Sequence, residues 1–254
     1  YTGGIQLYVH QGEGVVFRSS FSVIFLQTLT RALHELGTGD FNVTSCSISN
    51  SSNRGIYLDG GTYCRYSVTS SNFTQTQRPL YINSPSNVGN DVNVALNRFY
   101  ENSCSAPSCL SLEIAHYRSL AFHGNVVEGN TASQILSINA RSGNNIPLPE
   151  IDIVSNIFKS NQVPSSTSGS SAVFAMRGDT ASAWRVQWNE FNNPLSLHEM
   201  STSGFVVSDP TVVTVNASGN FFTFAGENEL SASLIDSRIY DDDEGPYPEV
   251  FFEN

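Results

Sequence analysis

The sequence contains few charged residues and very few cations. Charged residues make up 14% of the 254, and 12 Lys plus Arg stand against 23 Asp plus Glu, which gives a net charge of −11. Nucleic acids and anionic membranes attract proteins through clusters of Lys and Arg, and the sequence has no such cluster. We therefore expect no nucleic-acid partner. A run of 18 apolar residues is also missing, so we expect no direct membrane insertion of this segment.

The chain also lacks the short motifs that carry common chemistry. It has no His pair at metal-binding spacing, no Cys-x-x-Cys, no phosphate-binding loop, no dinucleotide fingerprint and no nucleophile elbow. We therefore expect no metal site and no cofactor. The acidic run at 241–244 lacks the interleaved spacing of a calcium loop. It is interpreted as a solvated turn, with a bound calcium ion as the alternative.

One short pattern recurs along the chain. An alternating apolar run ends at an Asn, an apolar residue follows two places later, and a second Asn follows five places later; the clearest copies are 92–102, 120–130 and 151–161. Upstream, Ser71 and Cys46 fit the first Asn place. The pattern predicts first places at Asn97, Asn125, Asn156, Asn189 and Asn220, and second places at Asn102, Asn130 and Asn161.

The spacing of this pattern predicts the fold class. Successive first places are 25 to 33 residues apart, which is the period of a stacked repeat. Each copy is followed by a second extended run with period two, without a helical stripe. We therefore predict an all-β, right-handed parallel β-helix of about seven to nine coils. Coils about 4.8 Å apart would stack the Asn side chains into a hydrogen-bonded ladder, with each Asn in a left-handed backbone conformation.

We expect a single β-helix domain, 1–254. Residues 1–40 are interpreted as an amino-terminal coil plus a helix over 24–36 that caps or flanks the solenoid, because apolar residues recur there at spacings of three and four. A further pair of strands is the alternative. Residues 41–222 hold the repeats. Residues 223–254 form a closing segment, in which Ser231 caps a short helix and Val250 begins a last strand.

Sequons and cysteines predict a location outside the cell. Four sequons mark potential glycosylation sites at Asn42, Asn50, Asn72 and Asn216. The four cysteines allow three pairings, of which we favour Cys104 with Cys109 and Cys46 with Cys64. Alternatively, Cys46 is a small buried thiol. The chain begins at Tyr1 rather than at a Met, which is typical of a processed piece of a longer protein.

The carboxyl end carries a more specific pattern. Asn220 is followed by two aromatic residues, then by Ile235, Arg238, Ile239 and Asp241, and then by a Val-x-Phe strand at the end. This order resembles the end of right-handed β-helix units in the extracellular part of the Bark beetle (Anakonda) family, membrane-anchored proteins of tricellular junctions. The usual Asn-Trp-Trp-Gly or Asn-Tyr-Trp-Gly of that family is replaced here at the three positions after Asn220. The resemblance implies an adhesive or scaffolding ectodomain without enzyme activity.

We therefore expect a non-enzymatic scaffold that binds a protein partner, or a second copy of itself, through a lateral face or loops. No catalytic residue is assigned, because carboxylates in the strands are scattered singly, as at Glu113, Asp152 and Glu190. The alternatives are a polysaccharide lyase or hydrolase and a viral or phage fibre segment. For an enzyme, the best candidates form a polar column at the end of the second strand: Asp59, Asn83, His116, Asn139 and Arg177 with Asp179.

Overall fold

The structure is a computed structural model. It describes residues 16–17, 28–31, 39–50, 54–59, 64–84, 90–115, 117–141, 151–164, 171–178, 182–205, 213–223, 231–241, 247–248 and 250–251. The elements in these ranges are β1 (Val16–Phe17), β2 (Thr28–Arg31), β3 (Gly39–Thr44), β4 (Ser47–Ser49), β5 (Ile56–Asp59), β6 (Cys64–Thr69), β7 (Asn72–Thr74), β8 (Leu80–Ser84), β9 (Asn90–Ala95), β10 (Arg98–Tyr100), β11 (Ser108–Ala115), β12 (Tyr117–His123), β13 (Val126–Glu128), β14 (Gln134–Arg141), β15 (Ile151–Val154), β16 (Ile157–Lys159), β17 (Ala172–Gly178), β18 (Ser182–Gln187), β19 (Glu190–Asn192), β20 (Met200–Phe205), β21 (Val213–Asn216), β22 (Phe221–Phe222), α1 (Ala232–Asp236), β23 (Ile239–Tyr240) and β24 (Val250–Phe251).

The strands form three parallel sheets, which the chain visits in the same order in each turn. Sheet A contains β1, β3, β6, β9, β12, β15, β18, β21 and β24; sheet B contains β4, β7, β10, β13, β16, β19 and β22; sheet C contains β2, β5, β8, β11, β14, β17, β20 and β23. Each strand pairs with its equivalent in the next turn, so the chain is a parallel β-solenoid, as the repeat pattern predicts. Parallel crossovers of this kind are expected to be right-handed.

The regular part of the solenoid is shorter than expected. Seven successive turns, from β3–β5 to β21–β23, contribute one strand to each sheet. Only the inner five, from β6–β8 to β18–β20, have such a complete turn on both sides. The solenoid thus has about five regular turns in the described residues, rather than seven to nine, because the turns at its two ends have an incomplete neighbour.

The helix expected over 24–36 is wrong for the part of this segment that the structure describes. Residues Thr28–Arg31 form β2, which pairs in parallel with β5 in sheet C. Two threonines alternate with Leu29 and Arg31, and β-branched residues favour strands. The spacing of three and four between apolar residues was therefore coincidental, and the alternative of a further strand is correct at these four residues.

Apolar side chains from all three sheets fill the interior, and a stack of phenylalanine rings runs along it. Five of the rings come from sheet B: Phe73, Phe99, Phe158, Phe191 and Phe222. The smaller Val127 takes the sheet B place between Phe99 and Phe158. Phe122 of sheet A fills that gap, with its ring centroid 6.5 Å from Phe99 and 6.4 Å from Phe158. The stack is thus continuous although one of its positions lacks an aromatic residue.

The closing segment has the short helix that the sequence predicts. The side chain of Ser231 caps α1 by accepting a hydrogen bond from the backbone nitrogen of Leu234 at 3.2 Å. The last strand, β24, pairs with β21 at the end of sheet A. Asp241 was expected in a solvated turn, but it is buried and its Oδ2 accepts a hydrogen bond from the backbone nitrogen of Val250 at 2.9 Å. This carboxylate therefore anchors the last strand.

Candidate functional site

Two corners flank sheet B, and each corner depends on one residue with a left-handed backbone. At the corner from sheet A to sheet B these residues are Ser45, Ser70, Leu96, Gly124, Ser155, Trp188 and Gly219; at the corner from sheet B to sheet C they are Asn50, Gln75, Glu101, Gly129 and Ser160. The expectation that the ladder Asn themselves adopt this conformation was wrong, because the residue before the ladder place adopts it instead at every ladder place except Asn193. The left-handed residue turns the chain, and the residue after it then points inward.

The Asn side chains at the first corner form a hydrogen-bonded column, which we call the first ladder. In the middle of this ladder, both the backbone nitrogen and Nδ2 of Asn125 donate to Oδ1 of Asn156, at 2.9 and 3.0 Å. Nδ2 of Asn125 also donates to the backbone oxygen of Val94 in the preceding turn, at 2.9 Å. The same bonds connect Asn97, Asn125, Asn156, Asn189 and Asn220. At the amino end, Ser71 and Cys46 take the equivalent places.

The second corner has its own column, the second ladder. It begins at Thr76, whose backbone nitrogen donates to Oδ1 of Asn102 at 2.9 Å. It continues in the same way through Asn102, Asn130, Asn161 and Asn193. All these Asn are buried. The two ladders satisfy backbone groups that the corners leave outside the sheets, so they fix the stacking of the turns.

The cysteines form one of the two expected disulfides. Cys104 and Cys109 are joined, with their Cα atoms 5.4 Å apart. The pairing of Cys46 with Cys64 is wrong: Cys46 is a buried thiol at the first ladder, and its Sγ lies 3.5 Å from the backbone oxygen of Thr44. A ladder place points into the solenoid, so the Cys46 thiol is buried there.

Sheet C carries a polar column on its outer side, close to the place that the sequence indicates. Its register aligns Asp59, Asn83, Glu113, Asn139 and Arg177. The sequence pattern predicts His116 at the third position, but Glu113 takes it because β11 extends further than expected. His116 and Asp179 lie outside the described residues.

Beside this column lies a cluster of two arginines and two tyrosines, which we call the Arg–Tyr cluster. The rings of Tyr57 and Tyr81 stack in parallel, with centroids 4.9 Å apart. The guanidinium of Arg54 lies 4.0 Å from the ring centre of Tyr57, and that of Arg78 lies 4.2 Å from that of Tyr81. All four side chains are half-buried. Stacking on the rings holds the two like charges in place.

Burial shapes the titration of this cluster. Burial and, after it, the neighbouring carboxylate of Glu113 together raise the pKa of Tyr81 to about 12. Burial also lowers the pKa of the Arg78 guanidinium, as does the like charge of Arg54. An arginine remains protonated at neutral pH despite such a shift. At neutral pH the cluster therefore presents two positive charges beside neutral phenols.

Most other described cations lie against a carboxylate of an adjacent turn. Arg185 contacts Asp152 at 2.9 Å in sheet A, and Lys159 contacts Glu128 at 3.3 Å in sheet B. For Arg78, by contrast, the described part of the chain offers no such ion pair, and its Nε is buried without a hydrogen-bond partner there. A buried guanidinium nitrogen without a partner is costly. It marks Arg78, together with Arg177 of the polar column, whose Nε is in the same state, as a side chain suited to receive an anionic group.

The four sequons lie away from the Arg–Tyr cluster. Asn42 and Asn216 share one column on the outer side of sheet A, Asn72 is in sheet B, and Asn50 is at the corner after β4. Asn50, Asn72 and Asn216 are exposed and Asn42 is half-buried. The strands of sheet C carry no sequon, so any glycans would leave this sheet accessible.

The described residues do not bring together the groups that a metal-dependent lyase needs. No group of three His, Cys, Asp or Glu that could hold a metal ion occurs among them. In the polar column, Glu113 is the carboxylate whose side chain is described, and a hydrolase needs a second one across a groove. The same part of the chain has no helix that is both long and apolar enough to cross a bilayer.

These features define the class of the protein as a parallel β-solenoid with two Asn ladders. No family model, no curated protein and no solved structure matches the chain. The likeness of its carboxyl end to the Bark beetle (Anakonda) family therefore stays a prediction.

Two parts of the site are not among the features that the sequence predicts. The Arg–Tyr cluster had a signal, because Arg54-Gly-Ile-Tyr57 and Arg78-Pro-Leu-Tyr81 repeat Arg-x-apolar-Tyr at equivalent places of successive turns. Asn193 had none, since it lies only four residues after Asn189 instead of the usual five. Its identity as a ladder residue is seen only in its hydrogen bonds.

Proposed function

We propose that this chain is a non-catalytic extracellular scaffold, a stiff solenoid that binds an acidic segment of a partner protein through the outer side of sheet C. The observation that supports it best is the Arg–Tyr cluster, in which a half-buried Arg78 lacks an ion pair in the described residues although the chain as a whole carries a charge of −11. An acidic group would satisfy this guanidinium. Arginine suits the role because its planar fork binds a carboxylate through two parallel hydrogen bonds.

The ladders support the role of a spacer. Each inner turn except the last is connected to the next by side-chain hydrogen bonds at both corners of sheet B, in addition to the strand pairing. Turns in a stacked repeat contact only their neighbours, so every additional bond between neighbours makes the rod stiffer. A stiff rod holds its binding face at a fixed orientation, which suits adhesion. The resemblance of the carboxyl end to a junction family and the four sequons support a location at the cell surface.

Binding to defined peptides tests the proposal. The full chain is immobilised and titrated with a peptide of Glu and Gly, and with its counterpart of Lys and Gly. We expect binding of the acidic peptide alone, and a loss of about tenfold in affinity for Arg78→Ala, because one charge-assisted contact contributes about 1.4 kcal/mol. Arg54→Ala should weaken binding in the same direction.

Arg98→Ala is the matched control. Arg98 also lies over a tyrosine ring, 4.7 Å from the centre of Tyr100, but it is in sheet B and already contacts Glu128. Its replacement should leave binding of the peptide unchanged. If Arg98→Ala weakens binding as much as Arg78→Ala does, the attraction is general and sheet C is not the binding face. Sedimentation measures the molecular mass of wild type and of Arg78→Ala in solution. A wild-type dimer that is lost in Arg78→Ala would identify the acidic partner as a second copy of the chain.

The same samples test the enzymatic alternative. Acidic polysaccharide is incubated with the chain, and reducing ends and unsaturated products are measured. We expect no shortening of the polymer. Shortening that is lost in Glu113→Gln would overturn the non-catalytic assignment.

A further inference from the structure

Large exposed aromatic side chains are concentrated at the carboxyl end of the solenoid. Trp188, Phe221 and Phe251 are 67%, 63% and 52% exposed. They belong to the last turns of sheets A and B. Aromatic rings of this size are costly to leave in water, and a group of them in a small region marks a contact surface.

Trp188 is held outward at an energetic cost. Its φ of 58° lies in the left-handed region, which a bulky residue rarely adopts and which costs about 1 to 2 kcal/mol. Its ring lies against Gly219 in the next turn, where an added Cβ would be only 3.1 Å from a ring carbon. The glycine thus provides the space that the ring needs. Strained backbone that presents an exposed side chain is a common feature of binding sites.

The sequon at Asn216 lies in the same turns as these rings. Asn216 and Phe251 are directly paired between β21 and β24, and both are exposed. Gly219, which supports the ring of Trp188, follows in the same turn as the sequon. The attachment site therefore has Phe251 on one side and Arg185 on the other, and it is bonded to Gln187, the residue that precedes Trp188.

The side chain of Asn216 is held by its oxygen. Its Oδ1 accepts a hydrogen bond from Nε2 of Gln187 at 3.1 Å and another from the backbone nitrogen of Ser218 at 3.0 Å. Both bonds use the amide oxygen. The amide nitrogen Nδ2 is the atom to which an N-linked glycan is attached, and both bonds persist when that nitrogen is substituted.

We propose that Trp188 and Phe251 form the seat of an N-linked glycan on Asn216, and that the first N-acetylglucosamine packs on these rings. The inference rests on the extracellular location in the proposed function. In the transfer, a bond forms between Nδ2 of Asn216 and C1 of the sugar, the bond from C1 to a lipid diphosphate donor breaks, and the amide releases one proton. The apolar C–H face of the sugar then covers aromatic surface that would otherwise face water.

Occupancy is measured first. The full chain is secreted from a eukaryotic host and treated with peptide N-glycosidase, and the conversion of each sequon Asn to Asp is read by peptide mass spectrometry. We expect conversion at Asn216. If Asn72 is converted and Asn216 is not, the glycan seat is refuted while the extracellular location stands. If no sequon is converted, the proposed location fails as well.

Tryptophan fluorescence then reports on the contact. The chain has two Trp, and Trp184 is buried at 1% exposure, so acrylamide quenching reports on Trp188. We expect the glycan to reduce quenching at least twofold. Endoglycosidase trimming to a single sugar should keep this protection, because the first sugar makes the contact. Equal quenching with and without the glycan would overturn the proposal.

Variants separate the seat from general effects of glycosylation. The shift in the denaturation midpoint between glycosylated and deglycosylated protein is measured for each variant, so changes in intrinsic stability cancel. We expect a higher midpoint for glycosylated wild type and at most half that shift in Trp188→Gly and in Phe251→Ser. Ser218→Ala removes the sequon at Asn216 and should abolish the shift, whereas Asn72→Gln should retain it. An unchanged shift in both Trp188→Gly and Phe251→Ser would refute the seat.

Discussion

The carboxylate of Glu199 accepts hydrogen bonds from the backbone nitrogen of Asn193 at 3.2 Å and from its Nδ2 at 2.7 Å. Each preceding Asn of the second ladder makes these two bonds to an Oδ1 of the next turn. Glu199 therefore replaces the missing Asn and ends the ladder. Arg238 completes the end by donating to Oε1 of Glu199 at 3.0 Å and to the backbone oxygen of Asn193 at 2.8 Å.

This ladder end predicts a dependence of stability on pH. Burial raises the pKa of Glu199 to about 7 from an ordinary value of 4.5, although Arg238 and Asn193 act in the opposite direction. Between these values the folded state binds the proton more tightly than the unfolded state, so the free energy of unfolding falls as pH rises, by about 3 kcal/mol at most. Below pH 4.5 the contribution is complete.

Urea denaturation across this pH range checks the prediction. Glu199→Gln should lower stability at low pH by weakening the bonds to Asn193 and Arg238. It should also remove most of the dependence of the unfolding free energy on pH. Glu190→Gln is the control, because Glu190 is a half-buried carboxyl in sheet B. This variant should keep the dependence of the unfolding free energy on pH. A wild type whose stability rises between pH 4.5 and 7 would contradict the assignment to Glu199.

A central ladder residue should contribute much more to the free energy of unfolding than an Asn on the surface. Asn156→Ala removes the acceptor for two bonds from Asn125 and the donor to the backbone oxygen of Phe122. Buried polar groups left in this way cost about 1 to 3 kcal/mol each, so we expect a loss of about 3 kcal/mol or more in chemical denaturation.

Two variants test the specificity of this loss. Asn156→Ser should cost less, because Ser71 already serves at an equivalent place, where its Oγ accepts from the backbone nitrogen of Cys46. Asn93→Ala, on the outer side of sheet A, should change the unfolding free energy by less than about 1 kcal/mol. Equal losses of unfolding free energy for Asn156→Ala and Asn93→Ala would show that the ladder adds no stability beyond that of a surface Asn.

The phenylalanine stack predicts a compensating pair of substitutions. Val127→Phe alone overfills the place that the ring of Phe122 already occupies, and should cost about 1 to 3 kcal/mol. Phe122→Val alone leaves a cavity and should cost about 2 to 4 kcal/mol. The double variant supplies the ring from sheet B instead, so we expect it to recover at least half of the summed loss. A double-mutant cycle measures this coupling, and simple additivity would argue against it.

The disulfide should stabilise the fold modestly. Cys104 and Cys109 are only five residues apart, and closing so short a loop contributes about 2 kcal/mol. We expect that loss for the double substitution to Ser. Cys46→Ser should be nearly neutral, since Ser71 occupies the next ladder place. Peptide mapping without reductant should show Cys46 as a thiol that alkylates only after unfolding; a peptide linked to Cys46 would disprove this.

The sequence was sufficient to predict the repeat, because the ladder residues can be recognised in the sequence even though the loops between them vary in length. Asn97, Asn125, Asn156 and Asn189 are identified by one residue type at one place relative to an apolar run. The physical reason is that a single amide group must both donate to and accept from its equivalents. Ser71 and Cys46 were found by register alone, and their hydrogen bonds confirm it.

Features that depend on contacts between distant residues could not be predicted. Nothing near Glu199 shows that its carboxylate will meet Arg238, which lies 39 residues later. The pairing of β2 with β5 likewise overrode a local spacing that favoured a helix. The disulfide between Cys104 and Cys109 was predicted correctly because the two cysteines are close in sequence. The expected pairing of Cys46 with Cys64, which are farther apart, was wrong.

At the corner from sheet A to sheet B, each of the two bulky residues is followed by a glycine at the equivalent place of the next turn. Leu96 leans over Gly124, where an added Cβ would be 2.9 Å from its Cδ2, and Trp188 does the same over Gly219. Turns of this rod are therefore not interchangeable modules: excising the one that contains Gly124 would bring Leu96 down onto Ser155. Lineages that lengthen or shorten such a protein would have to duplicate or delete large and small corners together.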